Sequence, residues 1–207
     1  HVSRLESGLT KTVIYDQRHS VLAARARADF YAAELGGEKI IVHSSGKLSG
    51  DASEMNERAI YAGRGRQHLD FFYHIDHVGK KTKAEIDLKG ALADESKKIF
   101  RGTLDFKRGC AGSVGDEGDF AIQLDPKTKN ISLPLLLCTE DDVQGNHASS
   151  AGQLDQNTIY FLMSRGFTLE EARRIVVEAL IRPIIDGMDE ALREEVLNAV
   201  RMKLDRE

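Results

Sequence analysis

Short apolar runs with polar, glycine-bearing corners between them fill most of the chain. Lys39-Ile-Ile-Val-His43, Arg58-Ala-Ile-Tyr-Ala62, Leu69-Asp-Phe-Phe-Tyr-His-Ile75, Ala84-Glu-Ile-Asp-Leu88, Lys98-Ile-Phe-Arg-Gly102, Thr103-Leu-Asp-Phe106 and Asp119-Phe-Ala-Ile-Gln-Leu124 are rich in β-branched or aromatic residues, as strands are. Arg4 to Leu9 and Thr12 to Tyr15 read as weaker strands, broken by Gly8 and by the polar group Asp16 to Ser20. Val21 to Tyr31 has the Ala and Arg of a helix and nearly the alternation of a strand; its neighbours favour a strand. Gly36-Gly37 and Ser44 to Gly50 are expected turns. Many short strands with regular corners fit a sandwich, a barrel or a stacked β-solenoid, and periodicity does not choose among them.

The pattern changes after Cys138. Pro134-Leu-Leu-Leu-Cys138 has the apolar continuity of a buried strand, and Glu140-Asp141-Asp142 cannot extend it without burying unpaired charge, so the sheet is expected to stop there. Gly145 to Gly152 is small and turn-rich, the composition of a loop that would hold His147 open to another surface. Helical signals follow. Asp155 opens a first helix through Tyr160 and Met163, and Thr168 with Glu171 forms a capping box for a second. The second helix carries Ala172, Ile175, Val176, Ala179 and Leu180 as its apolar stripe, and Pro183 is expected to kink or stop it near Ile181. Asp189 starts a last helix with the stripe Leu192, Val196, Ala199 and Val200. These helices are candidates to cover one open end of the strand region.

The same stretch resembles a known family. Glu140-Asp141-Asp142-Val143, His147, Gly152-Gln153-Leu154-Asp155 and Tyr160 to Gly166 are similar to the signature of the SufB/SufD iron-sulfur cluster assembly scaffolds. His68-Leu69-Asp70, His74, His77, Lys89 to Leu92 and Phe100-Arg101-Gly102 resemble that family's core. The resemblance covers roughly residues 55 to 185 and implies a mainly β fold with C-terminal α: a right-handed parallel β-helix core, residues 1–150, then a small helical domain, 151–207. It also implies a non-catalytic scaffold that pairs with a SufB/SufD paralogue or a second copy of itself and docks a SufC-type ABC ATPase. The iron-sulfur cluster would be transient and shared with the partner subunit, with none in the isolated chain.

Composition narrows the alternatives. The chain has 207 residues, a net charge of -4 and no basic patch of the kind nucleic acid requires. No apolar run approaches the roughly 20 residues of a membrane-spanning helix, and no secretory signal opens the chain, so neither membrane insertion nor export is expected. The start at His1-Val2-Ser3, without Met, is what an added remnant or an excised fragment is expected to show, with the natural N-terminus out of view. Two cysteines, Cys110 and Cys138, fit a reducing cytoplasm and fall short of the four thiolates a complete cluster site usually takes. No Walker motif, dinucleotide fingerprint or nucleophile elbow is present, so any nucleotide hydrolysis belongs to a partner.

His147 is the leading candidate ligand. A neutral imidazole is a competent iron ligand, and the position matches the family's histidine after its acidic segment; the bland reading is a hydrogen bond that fixes a turn. SufB-type members place a glutamate directly after this histidine and a cysteine on an earlier core strand. Here Ala148 follows it and Phe120 to Asp125 lacks a thiol, which is more SufD-like. Cys138 is a possible substitute thiol, although a buried cysteine packed as a small hydrophobe is the simpler expectation. Cys110, beside Arg108 and Gly109, is a further candidate thiol ligand, with a thiol pKa expected to be lowered by the nearby cations. His68 and His74 share a strand face and His77 lies opposite, which favours structural roles. Arg165, Glu171 and Arg174 are the candidate partner contacts. Two other classes stay open: a stand-alone β-solenoid interaction protein without cluster binding, and an enzyme with a metal site at His147.

Overall fold

The structure is a computed structural model and describes residues 1–8 and 11–205. Leu9, the last residue of the first expected strand, lies outside the described residues. Strands β1 (Val2–Glu6), β2 (Val13–Leu22), β3 (Arg27–Glu34), β4 (Lys39–Leu48), β5 (Glu54–Gly63), β6 (His68–His77), β7 (Lys83–Leu92), β8 (Lys97–Phe106), β9 (Ser113–Gln123), β10 (Lys129–Cys138) and β11 (Val143–Gln153) come first. Helices α1 (Gln156–Ser164), α2 (Leu169–Asp186) and α3 (Glu190–Leu204) follow. The odd strands form one sheet in the order β1-β3-β5-β7-β9-β11 and the even strands a second, β10-β8-β6-β4-β2. Every pairing is parallel. The chain is therefore a parallel β-solenoid of about five turns followed by three helices, the architecture the resemblance implied.

Strict alternation builds the core. On β6, Leu69, Phe71, Tyr73 and Ile75 are buried while Asp70, Phe72, His74 and Asp76 are half-buried on the outer face. The parallel register stacks like on like, with Ile40 on Leu69, Val42 on Phe71 and Phe71 on Phe100. No letter repeat is needed, because what recurs is corner geometry. Arg25, Ala52, Lys81 and Gly112 occupy equivalent corners with positive φ. Each donates its backbone N–H to the next coil: Arg25 to Asp51, Ala52 to Lys80, Lys81 to Ala111 and Gly112 to Asp142, at 2.9, 2.8, 3.0 and 2.6 Å. The left-handed conformation costs a non-glycine residue about 1–2 kcal/mol, and the inter-coil bond and stacked neighbours offset it.

Several local expectations are corrected. Ser44 to Leu48 continues β4, and Lys98 to Phe106 lies within one strand, β8, with Gly102 inside it. The Val21 to Tyr31 stretch ends β2, turns a corner and begins β3. The segment Gly145 to Gly152 is strand, because β9 offers a complete ladder that a glycine- and serine-rich chain can join without favourable propensity of its own. β10 does end at Cys138, before the acidic segment, but one more strand, β11, follows it. Pro134 to Cys138 is the second half of β10, the outermost strand of its sheet, with Leu135 and Leu137 48% and 39% exposed, and an edge is where a proline is tolerated.

The helices cover a flank and leave the β10/β11 end open. α2 and α3 pack on the outer side of the odd-strand sheet, where Val177, Ile181, Ile184, Ile185, Val196, Leu197 and Val200 meet Ala33, Leu35, Ile60, Ala62 and Ala91. The α2 stripe is therefore Ala172, Val177, Ile181, Ile184 and Ile185, rotated from the expected one, with Ala179 exposed. α2 also runs past Pro183 to Asp186, since burial of Ile184 and Ile185 outweighs one lost backbone bond. Asp155 caps α1, accepting from the N–H groups of Asn157 and Thr158, and the Thr168/Glu171 capping box is complete.

Candidate functional site

The open end of the solenoid positions His147. It lies on β11, directly paired with Glu117 of β9, which is paired with Ile86 of β7. Residues paired in a parallel ladder point to the same side, so His147, Glu117 and Ile86 share the inward side. Among the described residues no strand lies beyond β11, and His147 is exposed. On the outer side of the same strands a groove of about 290 Å³ is lined by Glu85, Asp87, Lys89, Asp116, Phe120 and Asn146 and also borders His147 and Ala148. Lys89 pairs with Asp87 at 2.8 Å, and Asn146 donates to Asp116 at 2.9 Å.

Below His147 the interior is unusually polar. Lys98 and Asp119, 0% and 1% exposed, form a buried ion pair, and Lys98 Nζ also donates to Tyr61 Oη at 3.2 Å. Burial pulls the Lys98 ammonium below its ordinary range and the Asp119 charge opposes that fall. Neither carboxylate oxygen of Glu117 has a hydrogen-bond partner at ordinary geometry; burial, then the charge of Asp119, lifts it to about 7, and the Leu135 backbone, the weakest of the three influences, opposes that rise. A side chain at Gly102 would collide with that carboxylate. On the neighbouring coil His77 is fully buried, bonded through Nδ1 to Thr82 Oγ1 at 2.7 Å and stacked on Phe106 at 4.3 Å. Burial lowers it to about 4, so the ring is neutral at pH 7.

The cysteines stand near one another at a corner of the last coils, in reversed roles from those expected. Cys110 is buried and Cys138 exposed. Burial raises the Cys110 thiol, and the nearby Glu140 and Cys138 charges add to the rise, so Arg108 does not activate it. Cys138 is the accessible thiol.

The family model described as SUF system FeS cluster assembly, SufBD core domain, matches residues 1–180. The chain belongs to this SufBD family. It is 27% identical over 204 residues to the iron-sulfur cluster assembly protein SufD of Bacillus subtilis, covering 98% of this chain and 46% of that protein. SufD of Escherichia coli is 21% identical over 89% of this chain and 44% of its own length. SufB of Bacillus subtilis is 21% identical over 91% of this chain and 40% of its own. The chain thus spans less than half the length of these SufBD relatives.

Among the described residues of this SufBD chain, the thiolates are those of Cys110 and Cys138, and neither lies on β11 beside His147. A cluster seated at His147 would need ligands from elsewhere. Arg165 is exposed and lies over the Phe161 ring at 5.1 Å; Glu171 is held in the capping box; Arg174 pairs with Asp205 at 3.1 Å. The exposed surface beside them is apolar: Tyr160, Phe161, Met163, Phe167 and Leu169. Sequence reading missed Glu117 and the Lys98–Asp119 pair. The available signal was Lys98 itself, a charge at an inward position in the alternation of Lys98, Phe100, Gly102, Leu104 and Phe106. No described helix is long and apolar enough to cross a membrane.

Proposed function

We propose that this chain is the solenoid part of a non-catalytic SUF scaffold, acting in the cytoplasm, on which a nascent iron-sulfur cluster is held transiently at a subunit boundary. The observation that carries this reading is the place of His147. It sits on the inward side of the last strand, at an end where β10 and β11 have no covering neighbour. The outward row Ile131, Leu133, Leu135 and Leu137 on β10 is exposed beside that edge, and an unpaired apolar edge is an invitation to strand pairing. The partner is a SufB/SufD paralogue or a second copy of this chain. It would supply the ligands that His147 lacks, with Cys138 as a possible local thiol and Cys110 excluded from that role by its burial. Residues 1–150, with 151–153 completing β11, form the scaffold, and α1 to α3 form the helical docking unit.

A SufC-type ATPase is the second partner. The exposed apolar residues of α1 and the α1–α2 connection give it a surface, with Arg165 at the rim and Glu171 and Arg174 holding the helix ends that shape it. Ala148 and the thiol-free β9 favour a SufD-like role. Anaerobic iron-sulfur reconstitution of the chain with its co-expressed partners, comparing wild type with His147→Ala by visible absorption and iron content, tests the reading. Loss of cluster with assembly intact supports it. Equal iron in both, or iron in neither, favours a structural β-solenoid partner without cluster binding.

A further inference from the structure

The outer face of the even-strand sheet carries a side-chain cluster with no part in the scaffold reading. His74 and Asp76 both face outward on β6, and Asp105 of β8 is directly paired with Asp76. One ligand atom from each of the three lies within 4.8 Å of the others. His74 Nε2 stands 3.1 Å from Asp76 Oδ1. That is close to the ~3.3 Å separating two ligands on a tetrahedral ion whose bonds are near 2 Å.

The cluster is organised around a positive centre. Carboxylates directly opposed on neighbouring strands repel, and Lys107 answers them, bonded to Asp105 and 3.4 Å from Asp76 Oδ1. The Asp105 side chain is only 10% exposed, whereas that of Lys107 is 46% exposed and can swing into water at little cost. His74 and Asp76 are each 28% exposed, enough for an ion to reach them.

The geometry points to a binding site for a divalent first-row transition metal at His74, Asp76 and Asp105, with Lys107 holding the cation position until an ion displaces it. The imidazole favours zinc, cobalt or ferrous ions over magnesium and calcium, which prefer all-oxygen shells, and the lack of a thiolate disfavours soft ions. Water would complete the coordination. The site is on the outer face of one sheet and His147 on the inner side of the other, so the two stand or fall separately.

Titration with Co²⁺, followed by visible absorption and by native mass spectrometry, tests the site in the full chain. Wild type is expected to take up one saturable Co²⁺ at this site, released by Zn²⁺. His74→Ala and Asp76→Asn should each weaken that uptake by about tenfold or more, with circular dichroism unchanged. Lys107→Met should tighten it several-fold by removing the competitor, and His147→Ala should leave it as it is. Equal Co²⁺ affinity in wild type and in a folded His74→Ala or Asp76→Asn variant overturns the site. So does absence of saturable binding in both wild type and Lys107→Met, and unchanged affinity in Lys107→Met overturns the role given to the lysine.

Discussion

The carboxylate of Glu117 fills the space that a side chain at Gly102 would need, so a strand of one sheet fixes a glycine in the other. Gly102→Ala forces a methyl group against a buried, unpartnered carboxylate. A loss of about 1–3 kcal/mol in stability is expected from such overpacking, measured by urea unfolding. In the Gly102→Ala, Glu117→Ala double variant the loss should be smaller than the sum of the two single losses, since removing the carboxylate relieves the clash.

The same carboxylate gives the fold a pH dependence of known sign. Glu117 is raised from an ordinary 4.5 to about 7, so between those values the folded chain holds a proton the unfolded chain has released. Its contribution is present in full below about pH 4.5 and is lost as pH rises through about 7. Glu34, 0% exposed and also raised to about 7 by burial, has the same sign. Neutral, buried His77, lowered from 6.5 to about 4, acts oppositely and costs stability as pH falls below 6.5. Comparing each variant with wild type isolates each group. Glu117→Gln should gain on wild type as pH rises from 4.5 to 7 and hold that gain above it; thermal unfolding across pH 4.5–8 measures this, and a pH-independent difference would contradict it.

The Lys98–Asp119 pair predicts strong asymmetry between single and double substitutions. Lys98→Met leaves Asp119 charged and buried without its partner, and breaking such a pair costs about 3–5 kcal/mol. Adding Asp119→Leu should recover most of that loss. Equilibrium denaturation of the two single variants and the double variant supplies the cycle.

At the start of α2 the test is smaller and local. Thr168→Ala removes the hydroxyl that accepts from the Glu171 backbone N–H and donates to the Glu171 carboxylate. A loss of about 1 kcal/mol is expected, with faster amide exchange confined to the first turn of the helix.

The edge of β10 allows a test of pairing that leaves the core alone. Leu133 and Leu135 are 55% and 48% exposed, so Leu133→Lys with Leu135→Glu should leave the melting temperature within a few degrees of wild type. If this edge is the subunit boundary, association with the co-purified paralogue, or of the chain with itself, should fall by about tenfold or more. Light scattering over a concentration series reads the effect.

Alternation and capping were determined by the sequence, because both are set by residues a few positions apart. The facing of Leu69, Phe71, Tyr73 and Ile75, the opposition of His77 to His68 and His74, and the caps at Asp155 and Thr168 all follow from local chemistry. The parallel β-helix came from resemblance, since strand periodicity alone fits several β architectures. Only the tertiary structure decided what depends on which coil comes next. Gly145 to Gly152 becomes strand because β9 lies beside it, and the outward-facing Leu133, Leu135 and Leu137 are exposed on β10, the outermost described strand of its sheet. Pro183 is carried through α2 by Ile184 and Ile185 packing on the sheet, and Cys110 is buried while Cys138 is not. A sequence fixes which way a side chain alternates; whether that direction meets a core, a neighbour's carboxylate or water is set by contacts a whole coil away.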